Sequence, residues 1–160
     1  MYRITCIGYD LCEHKPFAGR LIKQNFDTQK EALAEIKKAT AADVAELLEK
    51  SDALGAQMSI VVETTTSSAF PAAVMFTCDE EYPPVPYTEY MINPVKQEKL
   101  AMYDSWDYRG YRIVSSEPNK FVVFLDEQNI SECEPWSLNA ALDYIDEMLA
   151  EQFEEFAIGG

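Results

Sequence analysis

The clearest pattern of apolar positions lies near the end of the sequence, where they recur every three or four residues. This spacing places one apolar stripe along an α-helix. Ser137 comes just before the stripe, and its hydroxyl can accept a hydrogen bond from a free N–H of the first turn, so we predict that it caps the helix. The helix should reach about residue 156, with an apolar face made of Leu138, Leu142, Ile145, Leu149, Phe153 and Phe156.

Segments rich in β-branched and aromatic residues predict three pairs of strands. The first pair surrounds a loop at residues 9–16, and the third is a hairpin. Pro71 has no N–H to donate to a neighbouring strand, so the segment that contains it should be an edge strand. The predicted strands are 2–8 and 17–24, then 57–65 and 70–78, then 109–116 and 120–126.

Two further helices are predicted from their starting signals. Thr28 and Glu31 have the spacing of a capping box, and apolar residues follow at helical spacing as one long helix or as two short ones that break at 38–42. Asn93 followed by Pro94 is typical of a helix start, with Asn as the cap and Pro at the first helical position. A short helix from there to about Ser105 would complete the middle unit.

The predicted order is therefore two strands and a helix, three times over. These ββα units would span 1–50, 56–105 and 108–157, within one domain over residues 1–160. The triplet that begins at Tyr2 recurs at Tyr111, which supports a duplicated unit. We predict an α+β fold, with an antiparallel sheet and helices mainly on one of its faces.

The net charge of the chain indicates which kinds of partner the protein can bind. Residues 1–50 are neutral, so residues 51–160 carry the whole formal charge of −15. Such a field repels nucleic acid and anionic lipid and attracts basic surfaces. We therefore expect a basic protein as the partner, with no direct nucleic-acid binding and no membrane binding.

The cysteines and the apolar content point to the compartment. The four cysteines are scattered with no CxxC pair, which is typical of free thiols in a reducing cytoplasm. No stretch approaches the length of a transmembrane span, and the first residues do not form a signal peptide. A cytoplasmic location is expected, as a monomer or a small homo-oligomer.

The predicted C-terminal helix concentrates acidic residues on another face. Like charges four residues apart oppose helix formation, and anions near a helix C-terminus oppose its dipole. Two interpretations follow: a solvated face that keeps the protein soluble, or a docking surface for a basic partner. The carboxylates are Asp143, Asp146, Glu147, Glu151, Glu154 and Glu155.

A second candidate surface mixes acids with large aromatic rings. Tyr and Trp anchor many protein interfaces, because they add a large area at little cost in rotamer entropy. The alternative is that most of these rings pack against the sheet. The candidate contact residues are Asp79, Glu80, Glu81, Tyr82, Tyr87 and Trp106.

Catalytic chemistry has only weak candidates in this sequence. Cys12 and His14 lie in one predicted loop and would be the centre of a cryptic enzyme or a metal site. The sequence has no P-loop, GxGxxG, GxSxG or HExxH motif, so we assign no catalytic residue, metal or cofactor. Arg3 and Arg112, at matching strand positions, are expected to be exposed cations that pair with neighbouring acids.

The leading hypothesis is a non-catalytic acidic interaction domain. Its most concrete form is an inhibitor that mimics charge and occludes a basic nucleic-acid-binding surface on its partner. The alternative is a small accessory or structural domain whose acidity serves only solubility. The third hypothesis is the enzyme or metal site at the loop of Cys12 and His14.

Overall fold

The structure is a computed structural model that describes residues 1–10, 15–18, 22–54, 59–64, 71–77, 85–99, 103–131 and 134–159. Ten strands and two helices form within these ranges. They are β1 (Tyr2–Tyr9), β2 (Pro16–Ala18), β3 (Ile22–Phe26), α1 (Gln29–Leu54), β4 (Ser59–Thr64), β5 (Ala72–Thr77), β6 (Val85–Lys99), β7 (Asp104–Tyr108), β8 (Tyr111–Glu117), β9 (Lys120–Leu125), β10 (Gln128–Asn129) and α2 (Leu138–Gly159). The side chains of α2 are described up to Gln152.

The strands form an antiparallel sheet in the order β10-β9-β8-β7-β6-β1-β2. β3 pairs beside β1, and β5 and β4 continue outward from β6. β6 has 15 residues and joins the two halves of the sheet, since it pairs with β5 up to Tyr90, with β1 up to Pro94 and with β7 from Val95 onward. An antiparallel sheet with two helices is an α+β fold, as the sequence predicts.

The helix predicted from Asn93 to about Ser105 is wrong, because the described residues of this segment belong to β6 and β7. Pro94 is the last residue in register with β1, and Val95 is the first in register with β7. The Asn93 side chain is buried and donates to the Thr5 hydroxyl at 3.0 Å instead of capping a helix. Pairing with distant strands outweighs the local helix signal here. Since the described residues of the middle unit include no helix, three repeated ββα units are not shown.

The two helices cover opposite faces of β1. Arg3 contacts Asp146 of α2, whereas the next residue, Ile4, packs in one cluster with Ala32 and Ile36 of α1. Successive side chains of a strand point to opposite faces of the sheet. The prediction that the helices lie mainly on one face is therefore wrong at this strand, and β1 is buried on both sides.

The core consists of separate clusters on these two faces. Under α1, the apolar side chains of β1, β5 and β6 pack against the helix, and a smaller cluster extends this core toward β4. Under α2, the side chains of β6 to β9 pack against the apolar stripe that the sequence shows. The fully buried members of the second cluster include Ile113, Val123, Leu142 and Ile145.

The caps predicted for the other two helices, Thr28 and Ser137, are confirmed. The Thr28 hydroxyl accepts a hydrogen bond from the Glu31 N–H at 3.2 Å, and the Glu31 carboxylate accepts one from the Asp27 N–H at 3.2 Å. The Ser137 hydroxyl accepts from the Ala140 N–H at 3.0 Å. α1 is one continuous helix through 38–42. Neither described helix is both long and apolar enough to cross a membrane.

Some of the predicted strands are confirmed, and others differ from the structure. The strand at 2–8 and the hairpin of 109–116 with 120–126 are confirmed as β1, β8 and β9. The predicted strand 17–24 is instead two short strands, β2 and β3. The edge position predicted for the segment of Pro71 is wrong, because β5 begins one residue later and pairs on both sides, with β4 and β6.

Candidate functional site

The acidic face of α2 is partly neutralised within the chain itself. Asp143 and Asp146 both form ion pairs with Arg3 of β1, and Glu147 forms one with Lys23 of β3. These strand cations offset the repulsion that neighbouring carboxylates would otherwise exert along the helix. The first half of the acidic face therefore binds α2 to the sheet.

Asp146 is the centre of a buried polar network and is only 2% exposed. One of its oxygens accepts from Arg3 Nε at 3.3 Å, and the other accepts from the Tyr108 hydroxyl at 2.7 Å and from Arg109 at 2.9 Å. Burial and the charge of Asp146 raise the pKa of Tyr108, so its hydroxyl stays protonated and donates. Arg3 is 1% exposed and also donates to Asn25 at 3.0 Å. The expectation that Arg3 is exposed is wrong.

A strained turn supplies the second cation of this network. Arg109 has φ 49° and Gly110 has φ 84°, and together they form the two-residue turn between β7 and β8. This conformation is typical of type I′ hairpins, in which glycine is favoured. The turn brings Arg109 to Asp146, a contact that the sequence analysis missed although Arg-Gly between two strands is a recognisable hairpin signal.

Arg112 behaves as predicted. It is exposed on β8, and it donates to Asp107 at 3.2 Å and to Glu98 at 3.4 Å. The hydrogen bond to Asp107 and the charge of that group raise the pKa of Arg112. The two matching Tyr-Arg-Ile triplets thus place their arginines in opposite environments, one buried and one in solvent.

Of the other predicted contact residues, some are exposed, some are packed against the sheet, and some lie outside the described residues. Glu151 is exposed on α2. Tyr87 is 7% exposed, and its ring packs with Leu47 and Val74. Trp106 is half-buried with its ring centroid 6.0 Å from that of Phe121. Outside the described residues lie Asp79, Glu80, Glu81 and Tyr82, and the side chains of Glu154 and Glu155.

Exposed aromatic and acidic side chains lie in segments that meet at one end of β7, β8 and β9. Trp136, the residue before the Ser137 cap, is 74% exposed, and Tyr103, just before β7, is 44% exposed. Asp104, Glu117 and Glu134 are exposed acids in the same segments. We call these five residues the Trp136 patch: Tyr103, Asp104, Glu117, Glu134 and Trp136.

Strand pairing brings these segments together. β7 begins where its antiparallel neighbour β8 ends, and β9 begins at the same end, since Ser115 is paired with Phe121. The Phe121 N–H donates to the Pro135 carbonyl at 2.9 Å, which places the segment of Trp136 beside the start of β9. At this end of the sheet, the half-buried rings of Phe121 and Trp106 lie next to each other and pack against the core cluster under α2.

Trp136 is not among the contact residues predicted from the sequence, and its exposure has a physical reason. A large apolar residue just before a helix cap is expected to pack on the fourth helical residue. That residue is Ala141 of α2, which is small and is already fully buried between the helix and the sheet. The indole therefore has little to pack against and remains in solvent.

A cleft of about 830 Å³ runs between α1 and the strands β1, β3 and β6. Asp43 of α1 accepts hydrogen bonds there from the Thr88 hydroxyl at 3.0 Å and from the Tyr90 hydroxyl. Burial, followed by the hydrogen bond to Asp43, raises the pKa of Tyr90. Tyr90 is therefore a permanent donor at neutral pH, and these contacts fasten α1 to β6.

A second contact in the cleft holds the next turns of α1. Lys50 donates to the Tyr87 hydroxyl at 3.1 Å, lies 5.3 Å from the centre of that ring and pairs with Glu46 at 3.2 Å. The hydrogen bond to Tyr87 is the main cause of the raised pKa of Lys50. The polar groups of the cleft thus bind one another.

Metal and thiol chemistry has little support in the part of the chain that the structure describes. No group of three or more His, Cys, Asp or Glu side chains is placed there to hold a metal ion. Cys6 is buried in β1. The loop of Cys12 and His14 lies outside the described residues.

Comparisons with protein-family models, with curated proteins and with solved structures found no match to this chain.

Proposed function

We propose that this protein is a non-catalytic interaction domain that binds a basic partner protein through the Trp136 patch. The observation that carries the proposal is the 74% exposure of Trp136. Tryptophan is among the residues that contribute most to binding when a partner excludes water from them. In the free protein its position on the segment between β10 and α2 leaves the indole ready for such a contact.

The charge around the tryptophan defines the kind of partner. The carboxylates of Asp104, Glu117 and Glu134 belong to the same patch, and the whole chain has a net charge of −15. Glu117 pairs with Lys120 at 3.3 Å, so Asp104 and Glu134 supply the net negative charge of the patch. Arginine suits both features, because its guanidinium pairs with carboxylates and stacks on aromatic rings. The partner should therefore present arginine-rich surface.

The most concrete form of this function is inhibition by charge mimicry. A basic surface that binds nucleic acid would be attracted to the acidic patch by the same long-range field that attracts it to phosphates. Binding of this protein and of nucleic acid to the partner would then be mutually exclusive. A competition experiment with the captured partner and a nucleic acid tests this form directly.

The experiment compares affinity capture from host extract by the wild-type protein and by Trp136→Ala, followed by titration of the purified partner. The Trp136→Ala substitution should lower the affinity for the captured basic protein by at least about tenfold, as expected for a hot-spot residue. Binding should also weaken as salt is added, because exposed charges are screened. A partner that binds Trp136→Ala as tightly as the wild type would contradict the proposal.

A matched pair of variants separates local charge from total charge. Asp104→Asn with Glu134→Gln removes two charges at the patch, whereas Glu49→Gln with Asp52→Asn removes two exposed charges on α1. Only the first pair should lower the affinity strongly. Equal losses for both pairs would indicate a response to net charge without a defined patch.

The second candidate function is an accessory or structural domain whose acidity serves solubility. The observation that favours it is the internal pairing of Asp143, Asp146 and Glu147 with basic residues of β1, β3 and the β7–β8 turn. On this proposal, capture at low salt yields no partner that is sensitive to Trp136→Ala. Removing the exposed acids would then change solubility alone.

A further inference from the structure

β4 is a sheet edge without the usual protection. It pairs with β5 over all six residues in an unbroken register, and it pairs with no other strand among those that the structure describes. Its outer backbone N–H and C=O groups therefore have no strand partner in the described part of the chain. Such an edge is a template for pairing with another strand.

The other outer strands of the sheet have features that prevent pairing with another chain. β2 has three residues and begins with Pro16, β10 has two residues, and β3 carries Lys23. β4 has six residues with neither proline nor lysine, and its single charge is Glu63. Proline, lysine, bulges and short length are among the features that prevent edge pairing, and β4 has none of these four, although Glu63 adds one charge.

Apolar side chains lie exposed on both faces of this edge. Val61 is 38% exposed and Val62 is 47% exposed, and adjacent residues of a strand point to opposite faces. Leu48 of α1 is 50% exposed, next to Leu47, which packs in one cluster with Ile60 of β4. A strand added at this edge would cover apolar surface above and below the sheet.

We propose that the β4 edge pairs with the β4 edge of a second copy of this chain, forming an antiparallel two-fold dimer. Two-fold symmetry about an axis normal to the sheet keeps each side chain on its own face. A residue therefore lies opposite its own copy, and the register is centred on Val61 or on Val62. Opposite side chains in such pairs lie in contact, and β-branched pairs are favourable.

The charge distribution of the strand fits this symmetric register. With Val62 at the centre, Glu63 lies opposite Val61 of the second copy, and with Val61 at the centre it lies opposite Ser59. In neither register does Glu63 meet Glu63, so no like-charge pair opposes the pairing. The strand is thus complementary to itself, which is what a closed two-fold interface requires.

The dimer should be weak and should respond to salt in a characteristic direction. A single strand with a few flanking side chains makes an interface at the low end of the usual size range, below about 1,200 Å². Each copy has a net charge of −15, so the two copies repel one another at low ionic strength. Added salt screens this repulsion and should strengthen the dimer, whereas it weakens binding of a basic partner.

Sedimentation velocity over a concentration series, at low and at high salt, tests the proposal. The weight-average mass should rise from 18.2 kDa toward twice that value with concentration, and more so at high salt. Val62→Lys and Val61→Lys should each weaken the association by about tenfold or more, because each dimer then contains two lysines at its centre. Leu125→Lys, an equal charge change at a side chain that is 37% exposed elsewhere, is the control.

Circular dichroism of each variant establishes that it is folded. The proposal is overturned if the wild type stays monomeric throughout, if both lysine variants associate like the control, or if salt dissociates the dimer. A strand of another protein as the true occupant of the edge would give the first of these results. Trp136→Ala should leave the association unchanged, so failure of the dimer and failure of the proposed function are distinguishable.

Discussion

The ion pair between Arg3 and Asp146 offers the sharpest test of how α2 is held on the sheet. Both side chains are almost fully buried, at 1% and 2% exposure. The perturbation is a double-mutant cycle made of Arg3→Met, Asp146→Leu and the two substitutions together. Methionine and leucine replace the charged groups with apolar groups of comparable size, so the packing is disturbed as little as possible.

The expected magnitude follows from what each single change leaves behind. Arg3→Met leaves the Asp146 carboxylate buried with Tyr108 and Arg109, and Asp146→Leu leaves the Arg3 guanidinium buried with Asp143 and Asn25. Removing one partner of a buried pair costs about 3–5 kcal/mol, because the other charge is left buried without compensation. The double variant leaves neither of the two charges in this state, but it also removes partners of Tyr108, Arg109 and Asp143, so it still loses stability. Its loss should be smaller than the sum of the two single losses by about 3 kcal/mol.

Urea unfolding followed by circular dichroism at neutral pH measures these quantities. With a slope of about 2 kcal/mol per molar urea, each single variant should lower the midpoint by about 1.5 M or more. Lys23→Met and Glu147→Leu form the matched control, since this pair joins the same two parts of the fold but is exposed. Its cycle should leave the midpoint almost unchanged. Single variants of Arg3 and Asp146 that shift the midpoint no more than this control would refute the reasoning.

Two further predictions concern the start of α2 and the tyrosines. Ser137→Ala removes the acceptor for the Ala140 N–H and should lower the free energy of unfolding by about 1 kcal/mol in urea titrations, and an unchanged value would show that the cap is dispensable. The folded-state pKa of Tyr9 is raised to about 12, and that of Tyr90 is also raised. These two groups should therefore leave the stability unchanged below pH 10. Above pH 10 the stability should fall, because the tyrosines ionise in the unfolded state before they do so in the folded state. Tyr90→Phe should flatten that alkaline loss by up to about 1.4 kcal/mol per pH unit, and an identical slope in the variant would contradict the assignment.

Local signals were sufficient for some elements of the fold. The apolar stripe and the Ser137 cap identify α2, and the alternation on either side of Asn119 identifies the β8–β9 hairpin, where φ is 64°. In these elements the partners lie close in sequence. A helix cap or a two-residue turn is therefore visible without knowledge of the rest of the fold.

Other features depended on residues far away in the chain. Asn93 and Pro94 have the form of a helix start, but pairing with β1, some ninety residues earlier, extends them as strand. Arg3 meets Asp143 and Asp146 across separations of 140 and 143 residues, so its burial has no local signature. The acidic face of α2 was visible in the sequence, but its internal cations were not. Trp136 was not predicted as a contact residue, because its exposure depends on what the fold places around it and not on its residue type.

The burial of Arg3 has a consequence for how the chain acquires its structure. The Arg3 guanidinium precedes its carboxylate partners, Asp143 and Asp146, by 140 and 143 residues along the chain. Until those positions have left the ribosome, β1 carries a cation that cannot enter the interior at low cost. Completion of the sheet centre is thereby postponed to the arrival of α2, and contacts of such long sequence separation are typical of slow folding.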